Sequence, residues 1–251
     1  MSVDIVTHHS CIVCVLCYND CIEEKIMCSR TESGRKAKLD GHIKENALSN
    51  LLTEKTGKFH TNEGVGGSKT KIDIFCEELL KYISQKSCSG KNTQVHLTST
   101  KIWCEYFKIN EDLRLWFDQF FGLPRSGREG RLTKSQINDD INQLALNWFN
   151  DNKMSVFDVI VRHGAYKIDG QIKKGDAINQ VVWYNKKDDK IEIQVSVEYL
   201  ANLVKEGKWI MNETTLHFID GNGNKMFHLQ MKGSGGLSQK NSMQFHIYKV
   251  C

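Results

Sequence analysis

Three side chains in the first half of the chain have the types and spacing of a metal-assisted phosphate site. Asp73 stands in Lys71-Ile72-Asp73-Ile74-Phe75, and after a polar connection the segment Thr93 to Lys101 carries Gln94 and His96. Side chains alternate between the two faces of a strand. Ile72 and Ile74 are therefore expected to enter a core with Asp73 on the other face, and Val95 and Leu97 to point inward with Gln94 and His96 opposite. Two adjacent strands of this kind would bring together an acid, an amide oxygen and an imidazole, donors suited to a metal ion and a phosphate.

A second cluster lies at the N-terminus. Cys11, Cys14, Cys17 and Cys21 are spaced like the ligands of a ferredoxin-type iron–sulfur cluster, with Cys28, His8 and His9 nearby as zinc ligands. Ile22 stands where such clusters usually have a proline, and no second ligand group follows. The competing reading is a Cys-rich extension of residues 1–28 with free or buried thiols, upstream of a protein that begins at Met27.

Composition narrows the class. With 251 residues the chain can bury one sizeable core or two small ones. Its 34 basic residues exceed 30 acidic ones by a net +4, which permits an anionic partner without requiring one. Nine cysteines, an odd number, argue against a secreted disulfide framework. The first residues lack the basic start and cleavage site of a secretory signal, and no apolar run has the roughly 18 residues of a membrane span. A cytoplasmic protein without a membrane partner is expected.

The elements that must position these groups follow from periodicity. Residues 31 to 58 are helix-permissive, with Ile43, Ala47, Leu48, Leu51 and Leu52 on one stripe and Gly57 as the stop; Glu45 lies off that stripe, solvated or approaching a metal. Gly64 to Ser68 breaks regular structure, but without a following Gly-Lys-Ser/Thr it is no P-loop. Leu113, Trp116, Phe117 and Phe120 mark a buried helix face, stopped near Gly122 and Pro124. Arg125, Arg128, Arg131 and Lys134 form a basic loop suited to phosphates or simply solvated. Thr133 and Gln136 read as a capping box for a helix with Ile137, Ile141, Leu144, Ala145 and Trp148 inward.

Val156 to Val161 reads as a buried strand or short helix that delivers Arg162-His163-Gly164 into a loop. Strands are expected over 180–184, 191–197, 214–219, 225–231 and 243–248, with turns at 185–190 and 220–223 and a short helix within 198–210. Between the last two strands, Lys232-Gly233-Ser234-Gly235-Gly236 leads to Gln239, Lys240 and Asn241. Glycine lets the backbone approach a DNA groove, and Gln, Asn and Lys can read base edges or phosphates. The economical architecture is one mixed α/β domain over 29–251, its catalytic sheet in the N-terminal half and a β-rich C-terminal region.

Taken in order, Lys71-Ile72-Asp73-Ile74, Asn92 through Lys101, Leu146-Asn147-Trp148, Val161-Arg162-His163-Gly164 and Met243-Gln244-Phe245 resemble the type II restriction endonucleases of the PD-(D/E)xK superfamily. GCGC-cutting members are the nearer likeness and CCGG-cutting members the more distant. Asp40-Gly41 with Glu45 fits the first helix of that family, and the likeness covers about residues 30 to 249. It implies a mixed β-sheet nuclease core flanked by helices, with a β-rich C-terminal recognition region.

The resemblance also implies roles. Asp73 would bind Mg²⁺, Gln94 would replace the second acid and the Val95 carbonyl would complete the metal ligands. His96 stands where the family has its lysine, so a neutral imidazole would serve as base. Arg162, His163, Gln230, Lys232, Ser234 and Gln244 would read bases of a short G/C-rich palindrome. Double-stranded DNA is the implied partner, met by a monomer or a homodimer, with a protective DNA methyltransferase in the same system. The reading of another class is a catalytically impaired DNA-binding relative, with a Cys-bound metal at its N-terminus.

Overall fold

The computed structural model describes residues 32, 35–36, 38–63, 71–87, 90–121, 131–163, 177–231 and 242–249. The chain divides into two units, Met1–Lys44 and Glu45–Cys251. Residues 38–44 of the first are helical. The second unit contains both sheets.

The second unit begins with helix α1, residues 45–56. Its stripe buries Leu48 and Leu52. Gly57 ends it at φ +67°, a conformation that side chains disfavour, and donates its N–H to the Thr53 carbonyl at 2.9 Å.

Under α1 lies a four-stranded sheet in the order β1-β2-β4-β5, from β1 (Ile74–Cys76), β2 (Lys81–Ser87), β4 (Gln180–Asn185) and β5 (Lys190–Ser196). The β1–β2 and β4–β5 pairs are antiparallel, while β2 and β4 run parallel with Ile83 opposite Gln180. One face sends Ile74, Ile83, Val182 and Tyr184 against Leu48 and Leu52. The other sends Val181 and Trp183, with Tyr82, Ile193 and Val195, into the main core. This alternation is the period of two expected of a sheet covered on both faces.

The crossover from β2 to β4 holds β3 (Asn92–Ser99), α2 (Thr100–Tyr106), α3 (Glu111–Phe121), α4 (Asp139–Asp151) and α5 (Lys153–Phe157), followed by a π-helical turn, Asp158–His163. After β5 come α6 (Val197–Glu206), β6 (Lys208–Met211), β7 (Leu216–Ile219), β8 (Lys225–Met231) and β9 (Ser242–Tyr248). The second sheet, β3-β9-β8-β7-β6, is antiparallel throughout. Leu216, Phe218, Phe227, Leu229, Met243, Phe245 and Ile247 carry it into the same core as Trp183. Trp103, Trp116, Phe117, Phe120, Phe121 and Phe149 fill the centre, each fully buried. Burial of one such side chain stabilises by roughly 2–3 kcal/mol relative to exposure. Trp116 Nε1 donates to Asn142 Oδ1 at 3.2 Å, so its polar edge is not lost to the core.

The mixed α/β class with flanking helices agrees with the sequence reading. Three local readings are corrected and one is decided between its alternatives. Lys81–Ser87, taken as part of a polar connection, is the strand β2. Of the two readings of Val156 to Val161, strand or short helix, the structure has the helical one, split between α5 and the π-helical turn. Val197 starts α6 under a Ser196 cap instead of ending β5. The Thr133–Gln136 capping box closes a 3₁₀ turn, Lys134–Gln136, and α4 has its own cap in Asn138.

Candidate active site

The irregular stretch before β1 makes the site. Lys71, Ile72 and Asp73 precede the strand, so the expected alternation does not hold: Ile72 joins the main core, whereas Ile74 joins the cluster under α1. Asp73 is tied in place by its own N–H, which donates to the Ile83 carbonyl of β2 at 2.9 Å. Its carboxylate is turned toward β2. Asp73 Oδ2 accepts from the Gln85 N–H at 2.7 Å and from Ser84 Oγ at 3.1 Å.

Lys86 completes the strand's contribution. Ser84 and Lys86 are two residues apart in β2 and share a face, and Lys86 Nζ donates to Ser84 Oγ at 2.7 Å. A chain of Lys86, Ser84 and Asp73 results. Burial holds the Lys86 ammonium below the usual lysine range, while Asp73 pulls in the opposite direction. Lys71 is lowered further, first by burial and then by the like charge of Lys86, again opposed by Asp73. One carboxylate thus faces two lysines whose ammonium forms burial penalises, an arrangement suited to proton transfer.

β3 reaches this centre from the other sheet. A β-bulge between Gln94 and His96 leaves Val95 without a partner on β9, so Val95 and His96 are both buried in succession. The bulge reverses the alternation beyond it, and Leu97, expected inward, is 41% exposed. His96 lies in the core near Phe245, at 6.2 Å between ring centroids. Burial, and then Lys71, push its imidazole down to about 3, so it is neutral at physiological pH.

The strands expected to lie side by side do not pair. β1 pairs with β2 rather than with β3, which is an edge of the second sheet. Gln94 is exposed and accepts a hydrogen bond from Gln244 Nε2 across β9. The Val95 carbonyl accepts from Lys71 Nζ. His96 is buried beside Lys71, while Lys86 stands against the Asp73 carboxylate through Ser84.

The side chains expected to read bases divide similarly. Gln230 lies opposite Gln244 across β8 and β9, in a row with Gln94. Arg162 and His163 end the π-helical turn, where Arg162 pairs with Asp158 and Glu198, each at 3.3 Å. Lys232, Ser234, Cys11, Cys14, Cys17 and Cys21 lie outside the described residues, as do Arg125 and Arg128. Arg131 donates to the Thr214 carbonyl at 2.7 Å, which ties it to the chain before β7.

Sequence reasoning passed over Ser84, Gln85 and Lys86. A signal was there: Tyr82, Ser84 and Lys86 alternate with Ile83 and Gln85, which is a half-polar strand pattern closely following Asp73.

Metal chemistry at this centre has limited protein support. Among the described residues no group of three or more His, Cys, Asp or Glu is placed to hold a metal. A single carboxylate still fits Mg²⁺, which retains waters and takes substrate phosphate oxygens rather than a full protein cage. Among the described residues no helix is long and apolar enough to cross a membrane.

No protein-family model matches the sequence, and no curated protein matches it. Among solved structures, the chain is similar to restriction endonuclease MspI in complex with its cognate DNA, with a TM-score of 0.46 and 11% identity over 86% of this chain and 82% of that one. It is also similar to HhaI endonuclease in complex with DNA, with a TM-score of 0.34 and 13% identity over 82% of this chain and 90% of that one. Likenesses this loose leave function to be argued from the site's own residues.

Proposed function

We propose that the protein is a Mg²⁺-dependent, site-specific endonuclease that hydrolyses double-stranded DNA at a short G/C-rich palindrome such as GCGC. The observation that carries this reading is the Asp73–Ser84–Lys86 chain from the stretch before β1 to β2, with Lys71 beside it. Asp73 would hold Mg²⁺ together with water and a DNA phosphate, and the ion would supply a positive charge on the scissile phosphate and a more acidic bound water.

The chain's own groups do the rest. Ser84 Oγ and the Gln85 N–H fix the Asp73 carboxylate. Lys86, whose ammonium form burial penalises, is the base that takes a proton from the attacking water; protonated, it stabilises the charge that grows on the phosphate oxygens. The row of Gln230, Gln244 and Gln94 offers paired donors and acceptors of the kind that reads base edges, so Gln94 belongs with recognition rather than with cleavage. Arg162 would exchange Asp158 and Glu198 for guanine or phosphate on binding. One protein copy or a two-fold pair satisfies a palindrome, with a methyltransferase protecting the same site.

The test is cleavage of plasmid DNA with and without Mg²⁺, with mapped fragment ends. Wild type is expected to give discrete fragments only with Mg²⁺. Asp73→Ala and Lys86→Met should each slow cleavage by about 10²–10⁴-fold while still retarding DNA carrying the mapped site. Undiminished cutting by Asp73→Ala would overturn the site assignment. Site-specific binding without cutting by wild type would favour the impaired DNA-binding relative.

A further inference from the structure

Lys71 joins the Asp73 centre to two pieces of irregular backbone. Its Nζ donates to the Val95 carbonyl and, at 2.5 Å, to the Ile160 carbonyl. In regular secondary structure a carbonyl is engaged by its own ladder, but Val95 is the extra residue of the β3 bulge and Ile160 lies within the π-helical turn Asp158–His163. A lysine suits this task because one ammonium carries three donors on a long stem. Two residues after Lys71 comes Asp73, and two residues after Ile160 comes Arg162. The same bulge turns His96 inward toward Lys71.

We infer that Lys71 is a positioning residue that fixes the π-helical turn, and with it Arg162, relative to the Asp73–Ser84–Lys86 centre, so that contact with the DNA sequence and cleavage are held in one geometry. Its catalytic consequence rests on the nuclease reading above; its structural part does not. A turn freed from this cation shifts the Arg162 contact relative to Asp73, and displacements of about 1 Å at such sites cost on the order of 10²-fold in rate.

Full-length Lys71→Met, which keeps the stem and removes the donors, is compared with Lys71→Arg, which restores a cation. The expected result with Mg²⁺ and site-bearing DNA is a kcat for Lys71→Met about 100-fold below wild type, KM within about threefold, and recovery of at least about tenfold in Lys71→Arg. Amide hydrogen exchange provides the second readout. It should accelerate about tenfold or more over 158–163 and 92–97 in Lys71→Met, with β7 and β8 unchanged. Wild-type kcat in Lys71→Met, or unchanged exchange at those segments, overturns the inference. So do equal losses in both variants with exchange raised throughout, which would mark global destabilisation alone. If wild type cuts no DNA, the nuclease reading fails instead, and the exchange data alone then decide whether Lys71 fixes the turn.

Discussion

At the scale of single residues, the decisive distinction is between two cation positions. Lys86 sits against Asp73 through Ser84, whereas His96 sits in the core beside Lys71. A lysine at 96 would place a second long basic side chain beside Lys71 in a site that buries the imidazole. His96→Lys is therefore expected to destabilise the fold by roughly 2–4 kcal/mol and to bring no gain in cleavage, measured by urea unfolding and the plasmid assay. A gain in cutting would return His96 to the catalytic centre. Asp73 was legible as a candidate because an acid among strand-forming residues stands out. Its partners were not, since local alternation cannot show which strand lies beside it.

At the scale of elements, close packing and buried imidazoles set two expectations. Gly207, which caps α6 and leads into β6, leaves no room for a side chain: an added Cβ would lie 2.3 Å from the Ile219 carbonyl oxygen and 2.5 Å from Phe218 Cε1. Gly207→Ala should cost about 2–3 kcal/mol and lower Tm by roughly 5–10 °C, read by thermal unfolding. On the other face of the second sheet His217, His228 and His246 lie on neighbouring strands, the last two stacked at 4.5 Å. Burial, then His246, His217 and Lys225, lower His228 to about 4. Below an unfolded pKa of ~6.5 the unfolded chain takes up a proton that the native sheet refuses, so stability falls as pH drops from about 6.5 toward 4. The loss is roughly 1–2 kcal/mol after allowance for screening, and His228→Gln should remove it from the pH profile of Tm. A profile as steep in the variant as in wild type would show that other groups carry the acid sensitivity. Alternation revealed β5, β8 and β9 because each has one apolar face, and β4 showed as a short β-forming run buried on both faces. It did not reveal the β3 bulge, where one inserted residue reverses the faces beyond it, nor the π-helical turn, whose run of Val156 to Val161 has no polar residue but Asp158 to set a period.

At the scale of the whole molecule, the two sheets are joined by one core. Parallel pairing of β2 with β4 spans the long insertion from β3 to the π-helical turn, and the sequence pattern gives no sign of a contact so distant in the chain. Packing explains why the insertion remains compact. Its helices bring Trp103 and Trp116, with Trp148 beside them, into the cluster that also receives Trp183 from β4 and Trp209 from β6. These are all five tryptophans of the chain, so intrinsic fluorescence reports on this shared core while far-UV circular dichroism reports on all helices and strands. Neither sheet can separate from the cluster without exposing a tryptophan that the other sheet helps to bury. Unfolding in guanidinium chloride is therefore expected as one transition, with fluorescence and dichroism midpoints agreeing within about 0.2 M. A fluorescence change complete before the loss of β-structure would show that the sheets unfold in turn, and that Trp183 and Trp209 do not bind them into one cooperative unit.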